Sequence, residues 1–175
     1  VRGEVNKSLE KPNKGLSVDL DALAAYTKSH KFTLSPYARK DVTPAAQRGR
    51  RLFSSSEVGC ATCHAGTFFT VSLPRAKLIT HDVGTGTADP SEKMGPAYDT
   101  PMLLGLYRSA PYLHHGKAGT LLEVLTTYNS GDRHGTTSHL DKQQLEHLAE
   151  FLQPLPFADP AAAASHAGLK KVDRC

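Results

Sequence analysis

The chain is poor in sulfur and has no long apolar run, and each shortage removes a class of protein. It holds three cysteines and two methionines. Cys60 and Cys63 stand two residues apart, and the third cysteine, Cys175, is at the far end. With no second C-x-x-C, a zinc site built from two cysteine pairs is excluded. No strand–helix–strand pattern surrounds the pair, which argues against a thioredoxin-like dithiol. No hydrophobic stretch is long enough for a membrane span. Basic charge is not blocked: the net charge is +4, spread over Arg48, Arg50 and Arg51 and over Lys170, Lys171 and Arg174 near the end. Charge this dilute does not argue for nucleic acid and fits a solvated face or one that steers an acidic partner. A signal peptide is lacking and Val1 stands first, so the chain is expected to be a processed protein or a piece of a longer one. The odd Cys175 is expected to be a free thiol on a frayed tail, with an interchain disulfide as the other option.

What remains fits one soluble globular domain, at 39% hydrophobic and 22% charged residues. Its organising stretch is Cys60-Ala61-Thr62-Cys63-His64. Two thiols at this spacing can each add across a vinyl group of a haem, and the adjoining histidine can ligate the iron. Upstream, Thr43 is expected to cap a helix whose first residue is Pro44. Ala45, Gly49, Leu52 and Phe53 share one face of it. Gly49 costs such a helix about 1 kcal/mol in propensity, which a close helix crossing would explain. Asp19 to about Ser29 is a further expected helix, capped by Asp19, with Leu20, Leu23, Ala24 and Thr27 in helical period. Residues 32–42 form a connector. Downstream, Phe68, Phe69, Val71 and Leu73 offer apolar cover or a short strand, and a long Gly/Thr/Asp/Pro-rich loop spans 74–101. Thr120 and Glu123 form a capping box for a helix carrying Leu121, Val124, Leu125 and Tyr128, which puts Tyr128 on the buried face. Asp141 and Gln144 cap the last helix, which turns Leu145, Leu148, Phe151 and Leu152 inward and stops at Pro154.

Gly49-x-x-Leu52-Phe53 followed by C-x-x-C-H resembles the first helix of the cytochrome c fold, in which that glycine lets the first and last helices cross closely. Asp99-Thr100-Pro101-Met102-Leu103-Leu104-Gly105-Leu106 and Ser109-Ala110-Pro111-Tyr112-Leu113-His114-His115-Gly116 are similar to the T-P-S-L-R and T-A-P-Y-x-H-D-G segments of bacterial dihaem cytochrome c peroxidases. They are also similar to those of the related enzyme that matures tryptophan tryptophylquinone. Met102 and His115 depart from that pattern. The resemblance covers about residues 43–155, the haem-bearing second half of a dihaem enzyme. It implies an all-α cytochrome c fold with long loops around one covalent haem c and its iron. The implied organisation is an N-terminal extension over 1–42, a haem domain over 43–156 and a tail over 157–175. The extension resembles the last helix of a preceding cytochrome domain, or is an ordinary amphipathic helix. A periplasmic or exported location follows from the resemblance, and Phe53, Pro111, Tyr112 and Leu148 are implied in the haem wall.

His64 leaves one axial position open, and the group that fills it sets what the haem does. The candidates are Tyr128, Met102 and Met94, the two methionines being the only thioethers. Tyr128 matches the position that is Met in the peroxidases' electron-transferring haem and Tyr in the quinone-maturing enzyme. His114 matches a near-haem histidine that is not usually the ligand. His81, His115, His134 and His139 are read as surface or hydrogen-bonding histidines, and an open site is the remaining option. No catalytic acid–base pair is evident. The reading reached is a monohaem electron-transferring cytochrome, working with a redox partner protein or an adjoining haem domain. The alternatives are a haem peroxidase-type enzyme and, behind it, a ligand-sensing module.

Overall fold

The computed structural model describes residues 17–29, 31–32, 35–37, 42–72, 79–86, 95–155 and 170–171. The chain divides into two units, Leu34–Pro160 and the pair of segments Val1–Thr33 and Ala161–Cys175. In the second of these, helix α1 spans Val18–Ser29 and strand β1, Lys31–Phe32, pairs in parallel with β4, Lys170–Lys171. Ser17, not Asp19, stands at the start of α1, with its Oγ 3.4 Å from the amide of Leu20. Asp19 and Asp21 instead lie in the first turn, where carboxylates complement the helix dipole. Leu20 and Leu23 are more than half exposed.

The larger unit is built on the crossing of α2, Pro44–Ser54, with α5, Lys142–Leu152. Thr43 caps α2 by accepting from the amide of Ala46 at 3.1 Å, and Pro44 opens it. The buried row is Ala46, Gly49 and Phe53; Ala45, expected inside, is half-buried beside it. Gly49 makes the crossing possible. A Cβ there would stand 1.9 Å from the carbonyl oxygen of His147 and 2.9 Å from Cβ of Phe151. Phe53 then meets Phe151 at 5.2 Å between ring centres, and Phe69 joins both rings. Burying one such side chain contributes about 1.5–3 kcal/mol.

Around this crossing the chain is mostly loop. Helix α3, Cys60–Cys63, is a single turn. Residues 66–72 form turns rather than a strand, with Phe69 at φ 54°. Leu73 and residues 74–78 and 87–94 of the long loop lie outside the described residues. The ends of that loop pair as β2, Thr80–His81, antiparallel to β3, Tyr98–Asp99. The two small sheets amend the all-α expectation without displacing the helical core.

Helix α4 is shorter than its sequence pattern suggests, spanning Leu121–Leu125 behind the expected Thr120–Glu123 capping box. Its end has a local cause. Thr126 turns its hydroxyl back onto the carbonyl of Leu122 at 2.7 Å, a competitor to the helical ladder. Tyr128 therefore falls beyond the helix and is half-buried, not on a buried helical face. Helix α5 carries its predicted cap and buries Leu148, Phe151 and Leu152, with Leu145 at the margin. Among the described residues no helix is long and apolar enough to cross a membrane.

Candidate haem site

Gly59, in the left-handed region at φ 78°, turns the chain out of α2 and into the turn that bears both thiols. The amide of His64 closes that turn on the carbonyl of Cys60 at 3.0 Å. Both thiols are free and half-buried. Burial pushes the Cys60 thiol up to about 11, reinforced by Cys63 and opposed by a backbone hydrogen bond; burial also raises Cys63. Dithiol oxidoreductases need the reverse, a depressed thiol pKa. Protonated, unpaired thiols on one turn fit vinyl addition.

Imidazole Nδ1 of His64 lies 3.0 Å from the carbonyl oxygen of Phe69. A carbonyl only accepts, so Nδ1 carries the hydrogen and Nε2 the lone pair. This is the arrangement in which a ligand histidine is oriented by its other nitrogen. Burial lowers the His64 pKa, the carbonyls of Phe69 and Pro101 partly offset this, and nearby His81 lowers it further. The neutral form that ligation needs is thereby favoured. The turn 66–71 that supplies the Phe69 carbonyl is held by the amide of Val71 on Cys63 and that of Thr70 on Ala65.

The loop after α4 closes over this turn. Gly135, at φ 80°, passes so near that a Cβ would meet the Val58 carbonyl oxygen at 3.0 Å and Cys60 Sγ at 3.6 Å. Asn129 organises the loop from within. Its amide donates to Gly135 O and Thr137 Oγ1 at 2.7 and 2.8 Å, and its oxygen accepts from the amide of His134 at 2.8 Å. The His134 ring comes within 6.1 Å of that of His64. Burial, followed by the charge of His64, lowers its pKa to about 4. His81, on β2, has its Nε2 buried with no hydrogen-bond partner. These two histidines, assigned by sequence to surface or hydrogen-bonding roles, thus face the site interior. Neither lies in a periodic segment, so sequence offers no cue to their direction.

Of the nominated sixth ligands, Tyr128 and Met102 fall within the described residues. Tyr128 donates its hydroxyl to the carbonyl of Lys117 at 2.9 Å and packs on His115 at 5.6 Å. Through His115 and His114 it joins a row of rings ending at Tyr98, which stacks on His114 at 4.0 Å. Met102 is 54% exposed, and Met94 lies outside the described residues. Of the expected haem wall, Phe53 and Leu148 are core residues and Tyr112 packs against them, whereas Pro111 is exposed. A groove of about 370 Å³ lined by Tyr37, Val42, Leu122, Glu146 and Glu150, among others, does not include the Cys60–His64 turn. Among the described residues no group of three or more His, Cys, Asp or Glu is arranged to hold a metal ion on its own. A haem iron needs fewer protein ligands, because the porphyrin supplies the rest.

The fold and this turn define a cytochrome c-like domain resembling the bacterial cytochrome c peroxidases and their MauG relatives. The chain is 34% identical over 171 residues to hydrazine synthase subunit gamma of Kuenenia stuttgartiensis, covering 78% of this chain and 48% of that protein. It is 32% identical over 132 residues to the methylamine utilization protein MauG of Methylorubrum extorquens, covering 67% of this chain and 36% of the relative. A Pseudomonas cytochrome-c peroxidase, IdrP2, is 26% identical over 158 residues, covering 68% of this chain and 43% of the peroxidase. The chain thus spans about half, or less, of the length of these curated relatives. A solved structure of Kuenenia stuttgartiensis hydrazine synthase under xenon superposes with a TM-score of 0.65 at 32% identity, covering 78% of this chain and 55% of that one. A MauG-like protein associated with microbial copper homeostasis shares the fold at TM-score 0.51 and 22% identity, covering 69% of this chain and 47% of that one. No family model matches the chain.

Proposed function

We propose that this chain carries a single haem c and passes single electrons, as a domain or subunit of a larger redox system. Cys60 and Cys63 would tether the haem, and His64 would be its proximal ligand. The observation that carries this is the closed turn placing two free thiols beside an imidazole whose Nδ1 is committed to Phe69. The bound haem supplies a one-electron centre; the chain supplies its anchorage, its orientation and a low-dielectric wall. Tyr128 is preferred to Met102 as the sixth ligand, because it is half-buried while Met102 is mainly exposed. Ligation by Tyr128 would replace its hydrogen bond to Lys117.

A second reading, a peroxidase-type haem enzyme, is favoured by the names of two relatives. It would need an open iron position and a distal acid–base group. Glu123 and His114 are the groups that could serve; the Glu123 carboxylate is engaged in the α4 cap with the amides of Gly119 and Thr120. Because the relatives are about twice as long or longer, an adjoining haem domain or a separate redox protein is the proposed partner. An exported or periplasmic location accompanies the haem c reading.

The test is to express the chain with a haem c maturation system and count the haem after denaturation. One covalently held haem per chain is expected. A chain that leaves the column without covalent haem overturns the proposal.

A further inference from the structure

His81 has no part in the function just proposed, yet it holds the only buried, unpartnered side-chain nitrogen or oxygen among the described residues. Native proteins rarely leave such an atom unsatisfied without a structural or functional reason. The residue is firmly placed. β2 pairs Thr80 with Asp99 and His81 with Tyr98. The next residue, Asp82, accepts from the amide of Gly84 at 2.9 Å and pairs with Arg133. Arg133 precedes His134, so this clasp ties together the two loops that bring histidines toward His64.

The placement also fixes which kind of contact His81 can make. β3 runs directly into Thr100 and Pro101. The carbonyl of Thr100 accepts from Thr70 at 2.6 Å, and that of Pro101 acts on the His64 ring. His81 is thus paired to the segment that braces the proximal imidazole. A sixth ligand must approach from the opposite face of the porphyrin. Away from its iron, a haem offers polar atoms only at its two carboxylates.

Resting on the haem reading above, we propose that His81 Nε2 donates a hydrogen bond to a haem carboxylate, held there by the β2–β3 pairing and the Asp82–Arg133 clasp. Such a donor draws negative charge away from the iron, so its loss favours the ferric state and lowers the reduction potential. His81 is a positioning and tuning residue in this account, not an axial ligand.

The experiment uses the haem-loaded protein as wild type, His81→Phe and His81→Gln. Mass spectrometry reports covalent haem, absorption reports the iron's spin state, resonance Raman reports the haem carboxylate bands, and titration gives the potential. His81→Phe should keep its covalent haem and spin state while its potential falls and its carboxylate band moves. His81→Gln, which retains an N–H donor, should stay near wild type. If His81→Phe does not fold, His81→Asn, too short to reach, should show the same displacement. Unchanged potential and Raman bands in these variants would overturn the proposal. So would a low-spin iron turned high-spin, since that makes His81 an axial ligand. A wild-type chain without covalent haem would instead overturn the reading beneath it.

Discussion

Burial raises the Cys60 and Cys63 thiols, the direction that makes a poor redox dithiol. With Cys60 raised to about 11, its thiol stays protonated at neutral pH. Replacing either cysteine by alanine should leave one thioether and a haem that survives denaturation. Replacing both should abolish the haem stain on a denaturing gel. Asn129 matters equally at this scale, for a structural reason. It is buried and satisfies Gly135, Thr137 and His134 together. Asn129→Leu should lower stability by about 2–3 kcal/mol in denaturant titration, because several buried polar groups lose their partner. The C-x-x-C-H turn could be nominated from sequence because its residues are consecutive. Asn129, His81 and His134 were not legible, because their partners lie across loops with no periodicity to read.

Among the elements, the α2–α5 crossing shows tertiary packing overruling helix propensity. On propensity alone, Gly49→Ala would stabilise α2 by about 1 kcal/mol. The added Cβ would stand 1.9 Å from a backbone oxygen of α5. The variant should therefore lose about 1–3 kcal/mol, seen as a lowered Tm. A second test concerns the loop between α4 and α5. Asp132 accepts from the Ser138 hydroxyl at 2.5 Å and from the amides of Thr137 and Ser138 at 2.8 and 3.0 Å. These bonds, the Ser138 hydroxyl first, hold its pKa below the ordinary 3.8. A carboxylate depressed in the folded state stabilises above its unfolded pKa, and that contribution is lost as pH falls below 3.8 toward the folded value. Asp132→Asn should flatten the decline in Tm over that acid range. The caps at Thr43, Thr120 and Asp141 were legible because a cap is written in four consecutive residues. The early end of α4 was not: its apolar period continues to Tyr128, while the backbone turns away at Thr126.

For the whole molecule, sequence order gave the cytochrome c frame of first helix, anchoring turn and last helix. It could not say which distant side chain closes the iron, since that depends on how loops of low periodicity fold back. The relatives extend well beyond the length matched here. The most direct measurement is the absorption and EPR spectrum of the purified haem-loaded protein, ferric and ferrous, before and after adding peroxide and carbon monoxide. A low-spin haem indifferent to both additions is expected, with the ferric spectrum altered by Tyr128→Phe. A high-spin haem that binds carbon monoxide and turns over peroxide would contradict the electron-carrier reading and establish the peroxidase reading in its place.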